Sequence, residues 1–372
     1  MSQPPIEPPP ASWAELLSAR NLLRSLALTG GIALHAVNIY IVATVLPTVV
    51  REIGGLEYYA WNTTLFVVAS IVGSVLATRL IDALGARIAY LLALAVFCAG
   101  ALGCAVAPTM LWMLIGRAVQ GLGGGLLFAL AYALIRLIFD EALWSRVMAL
   151  VSGVWGAATL LGPAIGGVFA QVGHWRWAFL AVLPVAAVLA LIVIGQLGGK
   201  AATDNEPAAL PLGKIGLLVA SVLAISLASL APQASWNIAG IGAGLGLLIL
   251  MVALDRKARA RLMPRGAYSL SSQLGAIYAC MALLIIGIST EVFIPYFLQT
   301  IHGRTPLAAG YMTAFMSFGW TTASLIGSGR IGASADRMVR LAPPIVLASL
   351  LLLMLTTPRP GLMAGAGGMV LY

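Results

Sequence analysis

Long apolar runs broken by short polar stretches cover almost the whole chain. They lie near residues 26–49, 60–81, 88–107, 109–138, 145–170 and 177–197, then 212–231 and 236–254, then 272–299, 306–329 and 341–357. A helix needs about 20 mostly apolar residues to cross a bilayer core, so each run is predicted as a spanning helix. A polar linker from Gly198 to Pro211, holding Lys200, Asp204 and Glu206, separates the first six from the next two. A basic stretch around Arg256–Arg265 precedes the last three. The final apolar piece, Gly361 to Tyr372, is too short to cross: at about 1.5 Å per residue it reaches about 18 Å, against a core of about 30 Å.

This pattern predicts an all-α polytopic membrane protein in four parts. A cytosolic arm covers 1–25 and a six-helix bundle 26–198. A linker with two inserted spans and a basic loop covers 199–267, and three helices with a stub cover 268–372. A second bundle matching the first would hold six spans. The sequence therefore also admits a fragment of a longer protein, or a truncated, non-transporting membrane protein.

The composition, 61% hydrophobic and 9% charged with a mean hydropathy of +1.00, excludes a soluble domain of this length. The net charge of +9 would suit nucleic acid, but its placement explains it otherwise. One set of connections carries Arg20, Arg24, Arg79, Arg87, Arg136, Arg146, Lys200, Lys214, the Arg256–Arg265 cluster, Arg330, Arg337 and Arg340. The alternate set carries only Arg51, Arg176, Arg304 and Arg359. The positive-inside rule then puts the N-terminus in the cytoplasm, with no nucleic-acid partner, in the cell inner (plasma) membrane. Contact of the 256–265 cluster with anionic lipid is the alternative to topology alone. Trp61, Trp112, Trp175, Trp177 and Trp236 fall near the expected outer ends and read as an interfacial belt.

The proline-rich N-terminus lacks the basic-apolar-small pattern of a cleaved leader, so the first span is expected to be retained. Cys98, Cys104 and Cys280 lie in apolar runs and read as small core residues. Neither a metal nor a cofactor is expected, because no His, Cys or carboxylate cluster has ligand spacing, and no phosphate-binding G-x-x-x-x-G-K-[ST] loop occurs. Nucleophile–base and paired-acid constellations are lacking too, so no enzyme is expected. The expected partners are the lipid bilayer, a small-molecule substrate and protons, with the chain as a monomer.

Arg117 lies about eight residues into its run, followed by Gln120-Gly121-Leu122-Gly123-Gly124-Gly125. A permanent charge at that depth costs at least about 2.5–3.5 kcal/mol on insertion scales, and it usually faces protein or a wet cavity. The glycines let neighbouring helices approach closely. A repeat adds to this. Thr78-Arg79-Leu80-Ile81-Asp82-Ala83-Leu84-Gly85-Ala86-Arg87 and Gly332-Ala333-Ser334-Ala335-Asp336-Arg337-Met338-Val339-Arg340 both place an aspartate at a helix end ahead of an arginine. Two similar copies in corresponding places imply two related bundles, a common transporter plan.

These segments resemble the major facilitator superfamily, in particular its fourteen-helix drug:proton antiporter branch. The repeated strings resemble the family's gating motif, in which Asp82, Arg87, Asp336, Arg337 and Arg340 would act as a conformational latch. Thr78, Ala83 and Val339 depart from the pattern, and ordinary helix caps are the alternative. Arg117-x-x-Gln120-Gly121 resembles the fourth-helix motif, whose arginine is associated with proton coupling; a structural arginine held by carbonyls is the alternative. Gly153 and Gly156 with Gly162-Pro163-Ala164-Ile165-Gly166-Gly167 resemble the antiporter motif that marks exporters. Simple helix packing would use the same glycines. Trp175-Arg176-Trp177-Ala178-Phe179 is a further family-like string.

The resemblance implies proton-coupled efflux of small amphipathic compounds. One departure matters. The first-helix stretch Asn38-Ile39-Tyr40-Ile41-Val42-Ala43-Thr44-Val45-Leu46-Pro47 carries Asn38 where the family normally has an aspartate, and an amide cannot cycle a proton. A symporter or uniporter of the same fold therefore stays open. Two intramembrane ionisable groups remain. His35 is on the face of Asn38, and its imidazole ordinarily titrates at about 6.5; a buried neutral histidine is the alternative. Glu291, in Ile288-Ser289-Thr290-Glu291-Val292-Phe293-Ile294-Pro295-Tyr296, is expected inside the ninth span. Arg117 and Glu291 would both lie roughly 12 Å below the outer surface and are expected to face each other across a central cavity. Asn38, Tyr40, Gln120, Tyr296 and Trp320 are the candidate cavity contacts.

Overall fold

The computed structural model describes residues 13–16, 18–198, 211–258, 261–328 and 333–356. The arm before Trp13, most of the linker and the terminal apolar piece lie outside these residues. Every regular element among the described residues is a helix, as a lipid-embedded backbone requires when it has no water to satisfy its polar groups. The helices are α1 (Trp13–Leu16), α2 (Ala19–Ile53), α3 (Tyr59–Leu84), α4 (Ala86–Ala105), α5 (Met110–Ile138), α6 (Glu141–Gln171), α7 (Arg176–Leu180) and α8 (Val182–Gln196). They continue with α9 (Leu212–Ala228), α10 (Ala234–Lys257), α11 (Gln273–Ile288), α12 (Ile294–Thr300), α13 (Pro306–Ser328) and α14 (Ala333–Thr356). Among the described residues, nine helical stretches are long and apolar enough to cross a membrane.

The large apolar core runs through α2 to α8. Its centre is α5, started by the Thr109 side chain, which accepts from the Trp112 backbone N–H at 3.4 Å. A β-carbon on Gly121 or Gly125 would strike the backbone carbonyls of Phe66 and Ser70 on α3, and one on Gly123 would strike Phe97 on α4. Only glycine lets α5 wedge between these two helices. On the other side, Gly162 and Gly166 of α6 lie against Tyr40 and Ile41 of α2. Tyr90 of α4 donates to the Ala27 carbonyl of α2 at 2.6 Å.

A smaller core joins Ile294, Leu298, Ala309, Met316 and Leu353 of α12, α13 and α14. This second group meets the first through α13, where Leu307 covers Gly167 and Gly310 rests on Pro163 and Thr44. Gln299 of α12 bonds to the Thr44 carbonyl (3.3 Å) and accepts from Arg51 (3.4 Å). These contacts lie toward the end of the bundle at which Trp175 sits.

The inserted helices α9 and α10 form a hairpin closed by Ser221 Oγ donating to the Gly244 carbonyl at 2.7 Å. At its base, Asp255 is fully buried and accepts from Lys214 (2.8 Å), Tyr268 (2.9 Å) and the backbone N–H groups of Leu262 (2.7 Å) and Met263 (3.2 Å). Leu262, Met263 and Tyr268 are thus held against the base of the hairpin. Partial burial and the Asp255 carboxylate push the Tyr268 hydroxyl up to about 12.

Three features differ from the sequence expectation. The run at 272–299 is not one helix: a 3-10 turn over Ser289–Val292 separates α11 from α12. Pro295 has no N–H to bond the Glu291 carbonyl, and the hydroxyls of Ser289 and Thr290 bond back to Ile286 and Gly287 (2.6 and 3.1 Å), so the ladder breaks there. The link expected after the second span shrinks to Gly85, whose φ of 80° only glycine adopts readily. Finally, Trp61 and Trp175 are buried, so the tryptophan belt reduces to the exposed Trp112, Trp177 and Trp236. Trp175 instead donates its indole N–H to Glu52 at 2.6 Å, and Glu52 also pairs with Arg176.

Candidate functional site

Arg117 is 2% exposed and belongs wholly to the first bundle. The wedge of α5 between α3 and α4 aims its side chain at α2. Its Nη1 donates to Asn38 Oδ1 and to Gln120 Oε1, both at 2.7 Å, and its Nε donates to the Asn62 carbonyl at 3.3 Å. The guanidinium carbon lies 4.1 Å from the centre of the Phe66 ring, a cation–π contact. Gln120 follows Arg117 by three residues and so shares its helix face. Asn38 and Gln120 are both fully buried.

The expected partnership of Arg117 with Glu291 is not formed. Among the described residues the arginine makes no ion pair, and its acceptors are two neutral amides and a backbone carbonyl. Glu291 is half-buried in the turn between α11 and α12. The next carbonyl, Val292 O, accepts from Tyr59 Oη at 3.5 Å, and Tyr59 also meets Phe293 (5.9 Å) and Tyr296 (5.2 Å) ring to ring. The turn thus sets the Val292 carbonyl beside Tyr59 at the start of α3.

His35, like Arg117, adjoins the Phe66 ring. Its ring centre is 5.3 Å from Phe66, 5.5 Å from Phe128 and 6.5 Å from Trp155. It is buried and its Nδ1 has no hydrogen-bond partner; a side chain at Gly124 would displace it. Phe128, Tyr132 and Trp155 are half-buried and extend this aromatic row outward. Sequence reasoning missed Asn62, Phe66, Phe128 and Trp155. The spacing of Asn62 and Phe66, one helical turn apart, was the available signal.

The remaining candidates are dispersed. Tyr40 packs its Cβ against Gly162, and Tyr296 stands in the cluster with Tyr59. The side chain of Trp320 lies outside the described part of the chain. Of the antiporter-like glycines, Gly162, Gly166 and Gly167 are buried at helix contacts, with Pro163 inside an unbroken α6. Gly156 is half-buried, its carbonyl accepting from Thr159, whereas Gly153 faces open space. Asp82 is exposed in the last turn of α3. Arg87 donates its Nε to the Leu197 carbonyl at 2.7 Å, capping the end of α8. Asp336, Arg337 and Arg340 are exposed on the first turns of α14.

Comparison with known sequences decides the family. The profile described as Major Facilitator Superfamily matches residues 28–372. The chain belongs to this superfamily. A protein named "Probable multidrug-efflux transporter" from Mycobacterium tuberculosis is 39% identical over 355 residues, covering 94% of this chain and 75% of that protein. "Multidrug resistance protein 3" of Bacillus subtilis is 28% identical over 310 residues, covering 81% of this chain and 60% of that protein. Among solved structures, a D-xylose-proton symporter superposes with a TM-score of 0.60 at 12% identity, over 95% of this chain and 79% of that one. A POT family transporter reaches 0.63 at 13%, over 94% and 80%. At such identities the structures share the fold alone. The chain is therefore an all-helical, polytopic membrane transporter of the superfamily, with Asn38 bonded to Arg117 at its first-helix position.

Proposed function

We propose that this superfamily member exports small amphipathic compounds in exchange for protons, with its N-terminus in the cytoplasm of the inner membrane. The observation that carries the reading is the joint between the two helix groups. Gly162, Pro163, Gly166 and Gly167 put almost no side chain between α6 and its neighbours α2 and α13, so the groups can rock against a flush surface. The names of the efflux relatives support the same direction of transport.

Arg117 is the fixed charge beside the path. His35, buried with an unpartnered ring nitrogen, and Glu291, the acidic residue within the 273–300 stretch, are the groups able to exchange a proton. Asp82 and Arg87, with Asp336, Arg337 and Arg340, would latch the cytoplasmic ends.

The test is uptake of a fluorescent dye panel into proteoliposomes under an imposed pH gradient. Gradient-driven accumulation that nigericin abolishes, and that Glu291→Gln or His35→Gln uncouples, supports proton antiport. Downhill equilibration insensitive to the gradient favours a uniporter, and accumulation with the proton flux favours a symporter. The amide at Asn38 gives those readings their footing, because it cannot cycle a proton.

A further inference from the structure

The chemistry around Arg117 bears on what is carried, and this inference rests on reading the region as part of a transport path. An arginine keeps its charge in proteins, and here its acceptors are all neutral. Along α2 to α8 the acidic side chains Glu52, Glu57, Asp82, Asp140 and Glu141 sit at helix ends or in the links. Glu52 is engaged by Arg176 and Trp175.

The two amides carry a second signal. Their oxygens accept from the guanidinium, which fixes the orientation of each amide. The nitrogens Asn38 Nδ2 and Gln120 Nε2 are then buried donors with no partner. Asn62 Oδ1 is a buried, unpartnered acceptor, on an amide whose nitrogen is already bonded to the Tyr58 carbonyl and Met110 Sδ. A charged guanidinium with two unmatched amide donors is complementary to an anion, and unmatched buried donors are costly until something accepts from them. The aromatic row beside them, from Phe66 past His35 to the half-buried Phe128 and Trp155, suits an apolar body.

We propose that this cluster receives the anionic head, a carboxylate or sulfonate, of an amphipathic solute. Arg117, Asn38 and Gln120 donate to the head, and Phe66, Phe128 and Trp155 flank the apolar part. An aspartate at position 38 would neutralise Arg117 internally and repel the same head.

Fluorescein and rhodamine 6G share a xanthene body and differ in charge, so their binding to the chain in lipid nanodiscs, read by fluorescence anisotropy, tests the assignment. Fluorescein is expected to bind at least tenfold tighter than rhodamine 6G. Asn38→Asp should weaken fluorescein at least tenfold, and Gln120→Glu, which acts from the other amide, should do the same. Equal or tighter binding of rhodamine 6G overturns the proposal, as do no fluorescein binding or variants that leave it unchanged. Full displacement of fluorescein by millimolar chloride marks a site for an inorganic anion and also overturns it. Binding requires no proton gradient, so a failure of proton-coupled export leaves this result readable. Loss of anion preference leaves the export reading standing.

Discussion

Replacing Asn38 by leucine keeps the branching and heavy-atom count of the side chain and removes the acceptor 2.7 Å from Arg117 Nη1. A hydrogen bond to a charged group contributes about 1.5–3 kcal/mol, and here its loss leaves a buried guanidinium with one fewer acceptor, so about 2–3 kcal/mol of stability should go. Arg117→Met tests the other side. It forfeits three hydrogen bonds, but it also relieves the burial of a charge without a counter-ion, a penalty of several kcal/mol. These effects oppose each other, and the methionine variant should stay within about 1 kcal/mol of the wild type. Equilibrium unfolding in mixed micelles, followed by far-ultraviolet circular dichroism, measures both. Transport should fail in both variants while stability separates them. If Arg117→Met costs as much as Asn38→Leu, the view of Arg117 as a charge held only by neutral groups is wrong.

Other consequences are equally direct. Gly121→Ala drives a methyl into the Phe66 carbonyl and should cost at least about 1–3 kcal/mol, whereas Gly153→Ala, in open space, should be neutral or stabilise by up to about 1 kcal/mol; thermal unfolding in detergent compares them. Asp255→Ala strips four donors of their acceptor and should cost about 3–5 kcal/mol locally, read as faster tryptic cleavage at Arg261 and Arg265. Glu52→Gln breaks a half-exposed pair with Arg176 and should cost no more than about 1 kcal/mol, seen as a small change in unfolding midpoint.

The spans were legible because a twenty-residue apolar run has few other uses, and the burial of Arg117 followed from the same run. Its partners were harder. An opposite charge at similar depth points to Glu291, while the acceptors are the amides of Asn38 and Gln120, already visible as polar residues in apolar surroundings. Nothing in periodicity says which face of an apolar helix meets lipid, which is why Trp61 and Trp175 read as interfacial and prove buried. The break before Pro295 did have local signals, Ser289 and Thr290 a few residues ahead of a proline, but a continuous apolar run masks them. The glycines of α5 announced close packing without saying against what; the answer, the carbonyls of α3 and the backbone of α4, is a tertiary fact.

Substrate-driven proton movement tests the central claim most directly. Proteoliposomes with an entrapped pH-sensitive dye are given a transported compound on one side, with no initial pH gradient. Proton-coupled export by this chain predicts a proton flux opposite to the substrate, abolished in Arg117→Met and in a Glu291→Gln, His35→Gln double variant. Substrate movement without any proton flux, or an unchanged flux in those variants, would contradict it.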